Sequence, residues 1–404
     1  MTDKNEVDEF NRNINISYVD ESLPEPDNKL ITKHYICSVL VYTFIYCFLG
    51  TNPFFSQNFL KLNFYFGIFI ILYIILAPFI LFTVRPKSVY RSHNIDICNY
   101  IIKVYRNIFF PKQPNYKDSY KDILDKFKMT YYEKQSFMLI FIKVFFGALM
   151  VFSVYHNLCI FPDFLEKIQN SFINITFDDM HEILRNVFNY ILENEPLLMS
   201  FSMLILYTID LAVFSFGYLT ELSILNNKIR SVETTPLGIF FCLLCYPPFF
   251  STVNSFLGNN IHSEKLYAEG DVLPIIRIMF HITALFFITI YVAASVAMGT
   301  KASNLTNRGT VSKFPYNIVR HPAYICKNLF WIISVMPLLI VNFNSPEFDV
   351  YEYVNFIAFF LFSSIFFLIV YYMRAITEER HLMQDPEYRE YTKKVKYRFI
   401  PGVI

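Results

Sequence analysis

The chain has 404 residues, of which 54% are hydrophobic and 19% aromatic, while 17% are charged against about 25% in an ordinary soluble domain. Its 35 Lys and Arg balance 34 Asp and Glu, which excludes nucleic-acid binding driven by bulk charge, and the apolar excess excludes an ordinary soluble globule. The composition is that of a polytopic membrane protein, an all-α helix bundle that need not split into the two or three domains a soluble chain of this length would form.

Residues 1–33 carry eight acidic and four basic side chains and no apolar period. Such a segment lacks the apolar surface that would offset the entropy of ordering, so it is expected to be a disordered acidic tail. It has no basic region followed by a short apolar core, so it does not read as a cleavable signal peptide.

Eight apolar runs follow, near 35–53, 62–84, 137–160, 197–217, 236–254, 276–298, 326–343 and 353–373. About 20 apolar residues cross a 30 Å hydrocarbon layer at 1.5 Å per residue, so each run predicts a spanning helix. Pro247, Pro248 and Pro337 fall inside the fifth and seventh runs and predict kinks there. Asp210 and His281, in the fourth and sixth runs, are expected to face the bundle interior or a water-filled cavity. The whole divides into the tail, a transmembrane region over 34–275 and a C-terminal core over 276–404.

The charges between the runs give an orientation. Residues 85–136 hold 11 basic side chains, whereas 161–196 hold two basic and seven acidic ones. Residues 299–327 hold five basic side chains, 344–352 three acidic ones, and the tail from Arg374 has four Arg and three Lys. Basic loops favour the cytoplasm, so eight spans with both termini cytoplasmic are expected. The 85–136 loop reads as interfacial, anchored to anionic lipid. Asn174 opens an Asn-x-Thr triplet in the loop read as external, which by itself carries no weight. The seven Cys (37, 47, 98, 159, 242, 245, 326) form no ladder, and the CxxC at Cys242 and Cys245 reads as two membrane-buried thiols without metal.

The chemistry gathers at the C-terminal end. A polar, turn-rich segment after the sixth run closes with Arg320-His321-Pro322-Ala323-Tyr324 and opens directly onto a helix, with Pro322 suited to its first position. The free N–H groups and dipole of that helix start favour an anion. After the eighth run comes RAITEERHL (374–382). Arg374 and Glu378 share a helix face, and the tandem Glu378 and Glu379 oppose the basic trend of the inner interface.

The RHPAY and RAITEERHL segments, followed by EYREYTKKVKYRFIPG, resemble the cofactor-binding signature of the isoprenylcysteine carboxyl methyltransferase family and its bacterial relatives, which are integral membrane enzymes that use S-adenosylmethionine. The likeness covers residues 299–404, and NKIRSVETTPLGIFFCLLCYPPF (227–249) is similar to what precedes this core in bacterial members. It implies a cofactor site made of Arg308, Gly309, Thr310 and Val311, of Tyr316, and of His321, Pro322, Ala323 and Tyr324. It further implies that Glu378 holds the amino group of the cofactor and Arg374 orients the substrate carboxylate. Phe314 stands where relatives carry Gly in a Gly-Pro-Tyr turn, and Cys326 where they often carry Gly.

The resemblance also implies a lipidic or prenylated acceptor entering from the bilayer. The host membrane would be the cell membrane of a bacterium or the endoplasmic reticulum of a eukaryote. An ionised carboxylate acceptor needs no general base, and a guanidinium grips it with two prongs. A lipid amine acceptor must shed a proton, for which His321 or Glu379 would be the base. Two further readings are a phospholipid amine N-methyltransferase and an NADPH-dependent reductase similar to the sterol reductases, whose C-terminal end is alike. Ala323 in the HPxY run and Arg374 four residues before Glu378 favour methyl transfer. A transporter with two similar halves does not fit, since the N-terminal half has no counterpart to these motifs.

Overall fold

The computed structural model describes residues 3–51, 60–110, 125–172, 180–250, 274–339 and 349–403. Its helices are α1 (Lys4–Asn13), α2 (Asn28–Thr51), α3 (Leu60–Val84), α4 (His93–Phe109), α5 (Tyr131–Phe172), α6 (Met180–Leu219), α7 (Pro236–Leu243), α8 (Pro274–Met298), α9 (Pro322–Val335), α10 (Val350–Leu382) and α11 (Pro386–Lys394). Two short strands, β1 (Ser231–Val232) and β2 (Thr306–Asn307), pair antiparallel with Ser231 opposite Asn307.

Six helices, α2, α3, α5, α6, α8 and α10, are long and apolar enough to cross a membrane. Large apolar side chains on them remain exposed, among them Phe44 at 71% and Phe79 at 72%, as helices solvated by lipid leave them. Of the eight expected runs, six coincide with these helices among the described residues, while the fifth and seventh do not form one long helix in the part that is described. The fifth run yields the eight-residue α7, which ends in turns before Pro247. The seventh yields α9, whose 14 residues rise about 21 Å before a 3₁₀ turn at Met336–Leu339 that contains Pro337. Proline removes the N–H that the next helical turn needs, and in both runs the regular helix stops beside it.

The loop expected over 161–196 is largely helical. Helices α5 and α6 run 42 and 40 residues and extend past the apolar runs, with the Ser171 and Tyr190 hydroxyls 2.8 Å apart where they approach. Asn174 lies outside the described residues.

The acidic tail is also ordered, against expectation. Asp3 caps α1, Phe10 and Ile16 are buried, and the Ile16 N–H donates to the Arg230 carbonyl at 2.7 Å. These anchors, with hydrogen bonds from the Tyr131 and Tyr132 hydroxyls to the Ile14 and Arg12 carbonyls, fix a segment whose composition alone predicts disorder.

The polar positions inside the bundle face polar groups of neighbouring helices. Asp210 on α6 is buried and accepts from the Tyr291 hydroxyl at 2.7 Å and from the Ser295 hydroxyl, both on α8. His281 lies against the buried Glu195, which Arg277 meets at 2.7 Å. Cys242 and Cys245 are buried free thiols.

The core that positions the site joins α5, α6, α7 and the loop after α8 around Phe146, Tyr218, Val232 and Ala302. Gly217 on α6 makes this approach possible, because a Cβ there would lie 2.0 Å from the Ala302 carbonyl oxygen. Helix α8 packs mainly on α9 and α6, and α7 on α10.

Candidate functional site

One cavity collects most of the predicted residues. It opens where the loop 299–321, the start of α9 and the end of α10 converge, and its empty space, open solvent at the mouth included, is about 1350 Å³. Arg308, Gly309, Thr310, Val311, Tyr316, His321, Ala323, Tyr324, Arg374 and Glu378 all line it. Residues more than 50 positions apart in the chain therefore meet at one cavity.

Pro322 and Glu379 do not line the cavity. Pro322 is the first residue of α9, with its missing N–H at a position that has no helical partner. Glu379 faces away: its Oε1 lies 3.1 Å from His321 Nε2, and its Oε2 accepts from Arg398 Nε at 2.9 Å and lies 3.3 Å from Arg320 Nη1. A carboxylate so engaged is a poor proton acceptor for a substrate, so Glu379 serves as an anchor for the segment that carries His321.

The rest of that segment is fixed by the C-terminal tail. The N–H groups of Arg320 and His321 donate to the carbonyls of Tyr397 and Arg398 at 2.9 and 2.8 Å. The His321 ring stacks on Tyr324 at 5.2 Å between centroids, and the Tyr324 hydroxyl donates to Glu378 Oε2. Arg374, buried at the same wall, lies over the Tyr324 ring at 4.9 Å and the Tyr246 ring at 5.5 Å, and its Nη2 donates to Asn304 Oδ1 at 2.6 Å. Guanidinium planes stack on aromatic faces while keeping their edge donors free.

The loop is held from beneath by Arg308, whose Nη1 donates to the Asn227 carbonyl at 2.7 Å and to the Thr220 carbonyl at 3.1 Å, while its Nε donates to Ser303. Burial lowers the Arg308 pKa, and the nearby Glu221 carboxylate opposes that pull. Burial likewise pushes the Tyr316 phenol well above its ordinary value, with the Glu378 charge adding to it. Phe314 is exposed and is not in the left-handed region, so replacing a turn glycine there carries no strain. Gly309, by contrast, has φ of 87°.

Several lining residues were not among the expected site residues. Lys301, Asn304, Asn307 and Lys327 face the cavity, as do Glu233 and Tyr246 of the 227–249 stretch and His381 of the RAITEERHL segment. Pairing of β1 with β2 brings Glu233 in, and Ser231 holds His381 through a 2.9 Å contact between hydroxyl and Nε2. Asp385 ties these parts together by accepting from Arg230 Nη1 at 2.9 Å and Asn307 Nδ2 at 2.8 Å. From the 227–249 stretch, Glu233, Gly238 and Tyr246 line the cavity. Among the described residues Asn304 Nδ2, Arg308 Nη2 and Thr310 Oγ1 are buried without a partner, which leaves donors for an acceptor-rich ligand.

Comparisons of the chain with family models, with curated proteins and with solved structures find no match.

Proposed function

We propose that this protein is an integral membrane methyltransferase that uses S-adenosylmethionine and methylates a lipidic or prenylated acceptor at a carboxylate. In this reading both termini are cytoplasmic and the acceptor enters from the bilayer. The observation that carries it is the convergence of the RHPAY and RAITEER segments, with the loop 308–311, on one cavity at the end of a bundle of membrane-crossing helices.

Displacement at a sulfonium methyl is in-line, so the protein has mainly to position two reactants and exclude water. The cofactor supplies the methyl group as a cationic sulfonium. Glu378 would meet its amino group, and the unpartnered donors of Asn304, Arg308 and Thr310 would meet its acceptor atoms. Tyr324, stacked on His321 and bonded to Glu378, would keep that carboxylate turned inward.

The lining holds five cationic side chains, Lys301, Arg308, Arg320, Lys327 and Arg374, against two carboxylates, Glu233 and Glu378. A cavity of that charge, taking a cationic donor, favours an anionic acceptor over an amine. With Glu379 facing out of the cavity, one of the two bases that an amine acceptor would require is also missing from the wall.

Calorimetric titration of the purified protein with S-adenosylmethionine and, separately, with NADPH tests the reading. Saturable binding of the first, lost in Glu378→Ala and weakened in His321→Ala, is expected. Binding of NADPH with no response to S-adenosylmethionine would favour the reductase reading instead. Methyl-labelled cofactor incubated with membranes should then yield base-labile label, as a methyl ester gives, and stable label in phospholipid headgroups would point to an amine acceptor.

A further inference from the structure

A second crevice lies beside the cavity, on elements that are not among the six membrane-crossing helices. Val7, Phe10, Asn11 and Asn15 of the N-terminal segment line it together with Thr310 and Ser312 of the cavity loop. Helix α11 completes it through Glu387, Glu390, Tyr391 and Lys394. Thr310 and Tyr391 also line the cavity, so these two residues form the partition between the two spaces. Tyr391 is fixed, because its hydroxyl donates to the Tyr316 carbonyl at 2.7 Å. Thr310 is the less restrained of the pair, since among the described residues its Oγ1 is buried without a partner.

Helix α1, which covers this crevice, is attached unevenly. Its root is firm: the Arg12 and Ile14 carbonyls accept the Tyr132 and Tyr131 hydroxyls, and Ile16 is buried in the core around Phe146. Among the described residues the rest of α1 reaches the body through the buried Phe10 ring, the half-buried Val7 and the Glu6–Arg389 pair, both of whose side chains are partly exposed. An exposed ion pair contributes little, and a ten-residue helix is marginal by itself. The docked position of α1 therefore rests largely on one aromatic ring, which makes it one of the elements that open at low cost.

The proposed reactants need different routes. A lipidic acceptor arrives within the bilayer, whereas a polar, cationic donor is excluded from hydrocarbon and must enter from water. The crevice lining holds Asp385, Glu387 and Glu390 against Arg230 and Lys394, a balance that favours the approach of a cation.

We propose that this crevice is the water-side entrance of the cavity and that α1 is its lid, swinging on the root at Arg12–Ile16. As the route of S-adenosylmethionine the lid rests on the function proposed above, whereas as a cover over Thr310 it rests on the placement of α1 alone. Residues of α1 line the crevice and not the cavity, so the lid does not touch a ligand held inside. Such a cover opens equally often whether the cavity is full or empty. It scales the rates of entry and exit by one factor and leaves the affinity as it was.

The test uses the full chain in phosphatidylcholine nanodiscs. Stopped-flow binding of S-adenosylmethionine is measured on wild type, Phe10→Ala and Glu6→Arg. Phe10→Ala should raise the association and dissociation rate constants together, each by about tenfold or more, with Kd within about twofold of wild type. Glu6→Arg places like charges side by side at the surface and should move both rates in the same direction without endangering the fold. A second readout needs no cofactor: Thr310→Cys is treated with trimethylammonioethyl methanethiosulfonate, and mass spectrometry follows that position apart from the native cysteines. Adding Phe10→Ala should quicken its labelling about tenfold. The lid is overturned if Phe10→Ala leaves both rates unchanged, if it raises dissociation alone at the expense of affinity, or if labelling does not respond to it. Quickened labelling without any S-adenosylmethionine binding would sink the methyltransferase reading alone. Tight binding with rates and labelling unmoved would sink the lid alone.

Discussion

His321 Nε2 lies 3.1 Å from Glu379 Oε1, so the second carboxylate of the tandem pair anchors the residue that opens α9. Its neighbour Glu378 turns into the cavity instead. Adjacent helical positions are about 100° apart, and one step along α10 therefore separates a structural carboxylate from a ligand-facing one. The same step makes Arg374, four residues before Glu378, a second tenant of the cavity wall.

Glu379→Ala should destabilise the protein far more than Glu378→Ala. The first removes the counter-charge of Arg320 and Arg398 and the partner of His321, and breaking a buried network of this kind costs about 3–5 kcal/mol. The second removes only the acceptor of the Tyr324 hydroxyl. Unfolding of detergent-solubilised variants, followed by near-ultraviolet dichroism, should place Glu379→Ala well below wild type and Glu378→Ala close to it. Equal transitions for the two variants would contradict these roles.

How much of this was legible before the structure depends on whether a residue signals locally. The six long helices follow from apolar run length, and the RHPAY and RAITEER segments are compact enough to read directly. Asn304 and Asn307 send no such signal, because what brings them to the cavity is the pairing of β1 with β2 and the bridge from Asp385 to Arg230, between segments more than 70 residues apart. By sequence Glu379 is a candidate base for an amine acceptor, whereas its direction is set by Arg398 in the tail. The ordering of residues 4–16 was illegible for a related reason. Phe10 and Ile16 are single apolar residues in a polar stretch, and only their burial against the folded core makes them anchors.

That ordered N-terminal segment leads to a second expectation. The Ile16 N–H bonds the Arg230 carbonyl, and the Arg230 N–H bonds the Asn307 carbonyl, both at 2.7 Å, so the segment extends the edge of the strand pair beneath the cavity loop. Arg389 of α11 meets Glu6 at 2.8 Å. The double substitution Phe10→Ala, Ile16→Ala should undock the segment, since each truncation removes about 2–5 kcal/mol of buried contact. Hydrogen exchange should then quicken at residues 308–312 and 386–394 with the helices of the bundle unchanged. Unaltered exchange in the loop would show that the segment lies on the site without supporting it.

His93, on α4, supplies a pH dependence. Burial lowers its pKa to about 4, and its Nδ1 sits 3.0 Å from the Ser136 hydroxyl. In the unfolded chain the imidazole takes up a proton below about pH 6.5, while the folded form resists until about pH 4. The unfolded state thus binds more protons across that window, and stability falls as pH drops through it, by up to about 3 kcal/mol. Melting temperature measured from pH 7 to pH 4 should decline less steeply in His93→Gln than in wild type. Parallel profiles would mean that other groups dominate the acid limb.

Gly309 concentrates two constraints at the cavity loop. Its φ of 87° lies in the left-handed region, and a Cβ there would stand 2.7 Å from Arg230 Nη2. A long side chain would ordinarily move aside, but this guanidinium is pinned by Asp385 at 2.9 Å and by Glu387 at 2.6 Å, contacts that raise its pKa even against burial. Gly309→Ala must therefore strain the backbone, at a cost of about 1–3 kcal/mol, and in addition press on Arg230 and its bond to Asp385, which also holds Asn307. Both effects bear on the loop that carries Arg308, Thr310 and Val311. Gly309→Ala should lower S-adenosylmethionine affinity by about tenfold or more in calorimetry. Pairing it with Arg230→Ala, which clears the space but not the backbone strain, should restore only part of that loss, and full restoration would assign the whole effect to the clash.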